Sequence, residues 1–499
     1  MNDLLRQPRV RLVLSSVLVF FSLLIVRFGV WPALQNTRGD FGNYYTASRL
    51  LVDGIPLRNA YLDFVWFQKQ MDRYGIENQL GGFIPHPPST ALVFLPLVPF
   101  DALTAKRIWI LFNVLLLAGN IVLLSRIAGL HWLASGVLLL GTGYGLLNNF
   151  LFGQQYLLLL TTLLLGIYLN DRGKPVWAGV ALGSFIPVKY VGLVYVLYFA
   201  FRRNWRLVGA ALATAAAVAG ATLLLSDAST VTTFFTDVLP RHLRGEVQDP
   251  FAIYFQSWNS LLRRMFLYEP TLNPSPALNA AWLYFLLKNL IFWSLVTAFV
   301  LLLVHARFEK PRDTFLFHMG LLPLAVLLLS PGSATYHFLL LAIAAVLFTK
   351  LLLDQGQIRQ ATGLALLFLV VNLPHFMKLR HLATGWLTPL AYTRLWFLLL
   401  FFILTVYFFR RNIDYRLPKP KLLLPALFLL IAVPAAAQRH AYANEADDGA
   451  KWLRIASPAF NRNFGLLLKA PDVGRRRLVF TYCELLDEDY AIFDDQGLP

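Results

Sequence analysis

An acid stands just past the first hydrophobic run, in Arg38-Gly39-Asp40-Phe41, and Tyr44 and Tyr45 follow closely. A carboxylate at a lipid–water boundary can take a proton from a hydroxyl while a lipid-borne partner is held beside it. That chemistry suits an enzyme that moves a group from a lipid carrier to an acceptor. Asp40 would be the general base, with Arg38, Tyr44 and Tyr45 shaping the pocket. The plainer reading makes Asp40 a solvated loop acid or the partner of Arg38. Asp53, Asp63, Asp72 and Glu77 share the loop and are poorer candidates. They sit among Lys and Arg in segments that read as amphipathic helices lying on the membrane, such as 61–74 with Tyr61, Phe64, Trp66 and Phe67.

Further along, Lys189 is the most unusual charge, set inside an apolar run in Ile186-Pro187-Val188-Lys189-Tyr190. An intramembrane lysine is costly and points to function. A lipid phosphate is its natural partner, and the competing reading is an ammonium that snorkels to an interface along its own stem. His86, in Pro85-His86-Pro87-Pro88, could contact a phosphate or sugar, or simply line the interface. His337 ends a polar interruption, Ser330-Pro331-Gly332-Ser333-Ala334-Thr335-Tyr336-His337. It could hold a sugar or leaving phosphate or relay a proton, or only bond a helix end. Gln256, Trp258, Asn259, Arg263 and Arg264 combine amides, an aromatic ring and two guanidiniums. The set suits sugar stacking with anion binding, and equally an interfacial helix. Gln154 and Gln155 form a polar cluster expected to face Asp40. No Gly-rich phosphate loop, HExxH or Asp-x-Asp pair occurs in the first outer loop. Asp447-Asp448 and Asp494-Asp495 read as solvated charge. No metal or other cofactor is demanded.

The elements that must position these groups are membrane helices. The chain has 499 residues, of which 57% are hydrophobic and only 14% charged, against about 25% charged in soluble domains. Mean hydropathy is +0.58. Thirteen apolar runs are candidate spans, near 9–30, 87–100, 104–125, 130–147, 152–170, 175–201, 206–226, 281–304, 315–330, 334–353, 360–376, 390–409 and 421–437. Only helices fit them, because an open strand in lipid leaves its backbone groups unpaired. The expectation is an all-α polytopic membrane protein with roughly 11–13 transmembrane helices. Amphipathic helices would fill the first outer loop, and a small extramembrane α/β tail would follow the transmembrane domain (1–437) over 438–499, where 475–482 reads as a strand. The run 9–30 reads as a retained anchor.

The net charge of +17 follows from Lys and Arg in short loops, not from a nucleic-acid-binding domain. Arg202 to Arg206, His305 to Arg312 and Arg410 to Lys421 are the richest clusters. Taking them as cytoplasmic puts 31–86, 227–280 and the tail outside. The lone Cys483 allows no internal disulfide.

Several segments together resemble glycosyltransferase family 87 of the GT-C superfamily. Arg38-Gly39-Asp40-Phe41 with Tyr44-Tyr45, Ala47 and Gly54 is similar to its first-loop motif. Pro87-Pro88-Ser89-Thr90-Ala91-Leu92 with Leu95-Pro96-Leu97, then Trp109 and Asn113, resembles its second-span signature. Phe152-Gly153-Gln154-Gln155, Ala178-Gly179 with Gly183 and Lys189, and Ser330-Pro331 with His337 continue the match in order. The resemblance implies transfer of a sugar, often mannose, from a polyprenyl-phosphate donor to a lipid or glycan acceptor. It implies inversion, on the outer face of the cytoplasmic membrane, with a first-loop acid as base. Asp40 takes that role here, while Lys189, His337, Arg263 and Arg264 would hold the donor phosphate. Arg38, Tyr44, Tyr45, His86, Gln154, Gln155, Gln256 and Asn259 would line the pocket. One departure is Phe255-Gln256-Ser257, where the family often has Asn-Gln-Ser.

A lipid transporter or flippase is the main rival, since it too would carry buried charge, but its two halves should carry matching helix breaks. An O-antigen ligase would put its key residues in a large late loop. A membrane scaffold is the blandest alternative.

Overall fold

The computed structural model describes residues 7–77, 79, 81–244, 250–269 and 272–414. The protein is an all-α polytopic membrane protein, and no strand occurs among the described residues, only isolated bridges. The first described helix is α1 (Pro8–Ala33). The first loop then folds into α2 (Asp40–Val52), α3 (Arg58–Leu62) and α4 (Phe64–Arg73). Next come α5 (Ala102–Ala128), α6 (Tyr144–Phe152), α7 (Tyr156–Asp171), α8 (Pro175–Gly183), α9 (Val191–Phe201) and α10 (Trp205–Leu225). The mid-chain loop holds α11 (Leu239–Arg244) and α12 (Trp258–Phe266). The last described helices are α13 (Ala281–His305), α14 (Pro311–Leu329), α15 (Thr335–Asp354), α16 (Ile358–Val371) and α17 (Thr393–Phe408).

Six helices are long and apolar enough to cross a bilayer: α1, α5, α10, α13, α14 and α15. The α6–α7 pair, bent by 116°, would make a seventh span. Full-length spans are therefore fewer than the apolar runs, because several runs fold into short pieces. Run 87–100 becomes the single helix Thr90–Phe94 and a 3-10 turn. Run 130–147 becomes Trp132–Leu140 and the start of α6. Helices α16 and α17, of 14 and 16 residues, are shorter than a full crossing. The expected span 421–437 and the expected tail from 438 lie outside the described residues.

Run 175–201 is a hairpin rather than one broken span. Its two arms, α8 and α9, have 9 and 11 residues. The first arm starts and the second finishes at the same end of the bundle, where Asn204 Nδ2 donates to Asn170 Oδ1 at 2.9 Å. Pro187 sits in the turn between them, where its missing N–H interrupts no helix. Lys189 follows at the hairpin tip, which explains a lysine in the middle of an apolar run.

The helix ends sort onto two opposite sides. On one side, the first and middle loops touch: Tyr61 packs on Phe234 with ring centroids 5.9 Å apart, and Thr222 bonds Ser89 at 3.0 Å. On the other, Arg312 pairs with Asp171 at 3.0 Å and Arg307 N donates to the Asn412 carbonyl at 2.7 Å. Exposed tryptophans mark both levels, Trp31, Trp282 and Trp386 on the first side and Trp132, Trp177 and Trp205 on the second. Paired aromatic belts of this kind sit at the two membrane interfaces. The first-loop helices do not offer their apolar face to lipid as expected. Asp63 caps α4 by accepting from Trp66 N at 2.9 Å, and Tyr61 and Phe67 are buried in the protein core.

Candidate active site

Two glycines bring the first loop onto the bent α6–α7 pair. Gly39 has φ +97°, and a Cβ there would stand 2.5 Å from the Phe152 Cα. Gly153, the residue that turns α6 into α7, has φ +64°, and its Cβ would stand 2.6 Å from the Phe41 Cβ. Each glycine makes room for the other segment, and each backbone conformation favours glycine. The contact is reinforced by Lys106 on α5. Its buried ammonium donates to the carbonyl oxygens of Arg38 at 2.6 Å and Leu151 at 3.1 Å, tying both loops to one helix. Trp109 Nε1 donates to the Gly153 carbonyl at 2.9 Å. Asn149 accepts from Tyr156 N at 3.1 Å and donates to Asn113 at 3.3 Å, which fixes the turn from behind.

The result is a positioned carboxylate. Asp40, the first residue of α2, accepts hydrogen bonds from Gln154 Nε2 and, at 3.3 Å, from Asn43 Nδ2. Gln154 accepts from the Tyr44 hydroxyl at 2.9 Å, so its amide nitrogen is the end that faces the acid. Tyr44 is buried, with its ring edge-on to His86 at 4.8 Å and stacked on Phe94 at 5.0 Å.

A cationic group faces this carboxylate. Lys189 extends over the Tyr156 ring, 5.5 Å from its centroid, and is close enough for Asp40 to act on it electrostatically. The other face of the cluster is His337, stacked on Tyr156 at 4.8 Å. Lys189 makes no side-chain hydrogen bond or ion pair among the described residues. Burial pushes the His86 imidazole well below its usual range, and the charge of Lys189 pushes the same way. His242, on α11, is lowered to about 4 by burial and then by Lys189. Both rings are therefore neutral at pH 7, each with one donor and one acceptor nitrogen.

Asp40, Tyr44, His86, Gln154, Lys189 and His337 thus converge. The other expected residues are elsewhere or engaged differently. Arg38 is exposed and offers its carbonyl to Lys106. Tyr45 donates to the Phe100 carbonyl at 2.6 Å. Gln155 is fully buried with neither amide atom hydrogen-bonded. Gln256 receives Arg394 N at 3.2 Å and donates to Ile253 O at 2.7 Å, so it braces loop backbone. Asn259 and Arg263 both donate to the Arg244 carbonyl, at 3.4 and 3.2 Å, and Arg263 lies over Tyr284. These two hold the end of α11, the helix that carries His242. Arg264 follows on α12 and is partly buried.

Three residues of the cluster were not singled out from sequence. Lys106 reads there as the basic flank of a span, Tyr156 as one more aromatic in an apolar run, and His242 as part of the basic string Arg241-His242-Leu243-Arg244. Only Lys106, lying inside an apolar helix, carried a signal that burial cost would have flagged. Among the described residues no group of His, Cys, Asp and Glu is arranged to hold a metal.

Residues 83–331 match the family model of glycosyltransferase family 87. The matched stretch covers His86, Lys106, Gln154, Lys189 and His242, while His337 falls just after it and Asp40 well before it. No curated protein matches the chain.

Proposed function

The chain belongs to glycosyltransferase family 87, and from that membership and the site geometry we propose that it transfers mannose from a polyprenyl-phosphate donor to a lipid or glycan hydroxyl. It is a membrane glycosyltransferase; the donor, the sugar and the roles below are our reading. The observation that carries it is a fixed carboxylate close enough to act electrostatically on a lysine that makes no ion pair with it. Asp40 is oriented by Gln154 and Asn43, and Lys189 makes no side-chain hydrogen bond or ion pair among the described residues.

In this mechanism Asp40 accepts the proton of the acceptor hydroxyl as that oxygen attacks the anomeric carbon. The new C–O bond forms as the bond from that carbon to the phosphate oxygen breaks, and the configuration inverts. The electron pair leaves on polyprenyl phosphate. That product is an anion and needs cationic support rather than a proton. Lys189 supplies the charge, and His86, His242 and His337 supply hydrogen bonds. Arg263 and Arg264 were candidates for phosphate contact, but Arg263 already serves the Arg244 carbonyl. The reaction occurs on the side opposite the basic loops, which the positive-inside rule makes the outer face of the cytoplasmic membrane.

The test is transfer from radiolabelled polyprenyl-phosphate-mannose by purified protein in nanodiscs, with a pool of lipid and glycan acceptors. Asp40→Asn should lower transfer by about a hundredfold or more while keeping the parent's elution profile and thermal stability. Equal transfer by a folded Asp40→Asn removes Asp40 from the chemistry.

A further inference from the structure

A cavity lies at the far end of the bundle from Asp40. Helix α7 has 16 residues, so about 21 Å separates Tyr156 from Asn170 along it. The cavity, about 350 Å3, opens there between the ends of α9, α13 and α14. Its polar lining is partly paired internally: Asn204 bonds Asn170 at 2.9 Å, and the Tyr198 hydroxyl lies 3.0 Å from His318 Nδ1. His318 is buried, lines the cavity, and leaves its Nε2 without a hydrogen-bond partner. Arg202 and Arg307 also line it, and neither guanidinium makes a hydrogen bond or ion pair among the described residues. The nearby carboxylate of Asp171 is taken by Arg312 at 3.0 Å. The remaining wall is apolar, with Phe199, Leu303, Val304 and Phe315.

We propose that this cavity is a second binding site, for a phosphate group held by Arg202 and Arg307 and separate from the sugar-transfer centre. Two guanidinium forks match the several acceptor oxygens of a phosphate, and a ring nitrogen and two amides stand behind them. A cavity of this size takes a phosphate or a lipid headgroup but not a whole lipid. The apolar wall and the neighbouring exposed Leu197 and Phe201 would run along a lipid's chains. This is also the basic side of the protein, where the anionic headgroups of a cytoplasmic leaflet gather. The same phosphate chemistry could come from an anionic phospholipid or from a soluble phosphate.

Full-length protein, delipidated in neutral detergent, would be titrated in two arms. One uses phosphatidylglycerol against phosphatidylcholine, read by native mass spectrometry; the other uses inorganic pyrophosphate, read by thermal shift. The variants are Arg202→Gln/Arg307→Gln, and Leu303→Trp, which fills the cavity and keeps both charges. A control, Arg203→Gln/Arg206→Gln, removes two cations from the same face that do not line the cavity. The parent should retain at least tenfold more phosphatidylglycerol than either cavity variant, with phosphatidylcholine unchanged, if the source is lipid. A saturable rise in melting temperature with pyrophosphate, lost in both cavity variants, identifies a soluble source. Binding that both variants keep, or that the control loses equally, overturns the proposal.

Discussion

Gln154 illustrates how one side chain sets the direction of another. Its carbonyl oxygen accepts the Tyr44 hydroxyl at 2.9 Å, which leaves only the NH2 end for Asp40. Tyr44→Phe removes that instruction and almost no volume. The amide can then rotate and offer its oxygen to the carboxylate, a repulsive arrangement. We expect kcat to fall about three- to tenfold with donor KM unchanged, and stability to drop by about 1 kcal/mol for the lost bond. A Tyr44→Phe enzyme with parental kcat would show that the hydroxyl does not orient the pair. At this scale the sequence was partly readable. Asp40, Lys189, His86 and His337 stood out because acids, lysines and histidines beside apolar runs are costly. Gln256 and Asn259 read differently, for the opposite reason. Amides are chemically apt for sugars, but they also satisfy loop carbonyls, and the folded chain uses them so.

Loops meet helices through Lys106, one turn into α5. Burying an ammonium without a carboxylate partner is expensive, yet Lys106 is fully buried with two backbone carbonyls as its hydrogen-bond acceptors. Those carbonyls belong to the loop before Asp40 and to the end of α6, so the lysine fixes their separation. Lys106→Met keeps the stem and removes the donor, leaving two carbonyls short of a partner at about 1–3 kcal/mol each. Transfer should fall at least tenfold. The melting temperature should fall too, and measuring both separates a positioning role from no role: parental values of each would dismiss the clamp. Elements were legible in kind but not in length. Hydropathy marks a run as apolar whether it faces lipid or protein, so 87–100 and 130–147 resembled spans although they fold as short buried pieces. The 175–201 hairpin was hidden for the same reason. Nothing in composition distinguishes a crossing from a return, and only Pro187 and Lys189 hinted at the turn.

Taken as a whole, the molecule keeps His86 and His242 neutral at one end and concentrates arginines at the other. The first property ties stability to pH. The folded value of His242 is depressed from 6.5 to about 4, so its contribution is complete above pH 6.5 and is lost as pH falls. Between about 6.5 and 4 the unfolded chain binds a proton that the folded chain refuses. The loss attributable to this ring is about 2 kcal/mol by pH 5. His242→Asn should therefore flatten the decline in melting temperature between pH 7 and 5, and coincident curves for variant and parent would refute the assignment. The second property fixes how the protein sits. Arg202, Arg206, Arg307 and Arg312 share one end with the cavity, while the Asp40 cluster, α4 and the middle loop share the other. By the positive-inside rule we expect the arginine end in the cytoplasm, and the two proposed sites would then open on opposite sides of the membrane. A chain with Cys483→Ser as background carries no thiol. Lys69→Cys on α4 and Arg206→Cys at the start of α10 then place single exposed thiols at the two ends. In intact cells a membrane-impermeant maleimide should label the first and spare the second, and permeabilised cells should show both. Labelling of Arg206→Cys alone would invert the molecule, moving sugar transfer to the cytoplasmic side and the phosphate cavity to the outer one. The two sites are fixed to opposite ends of the same helices, so one labelling experiment orients both.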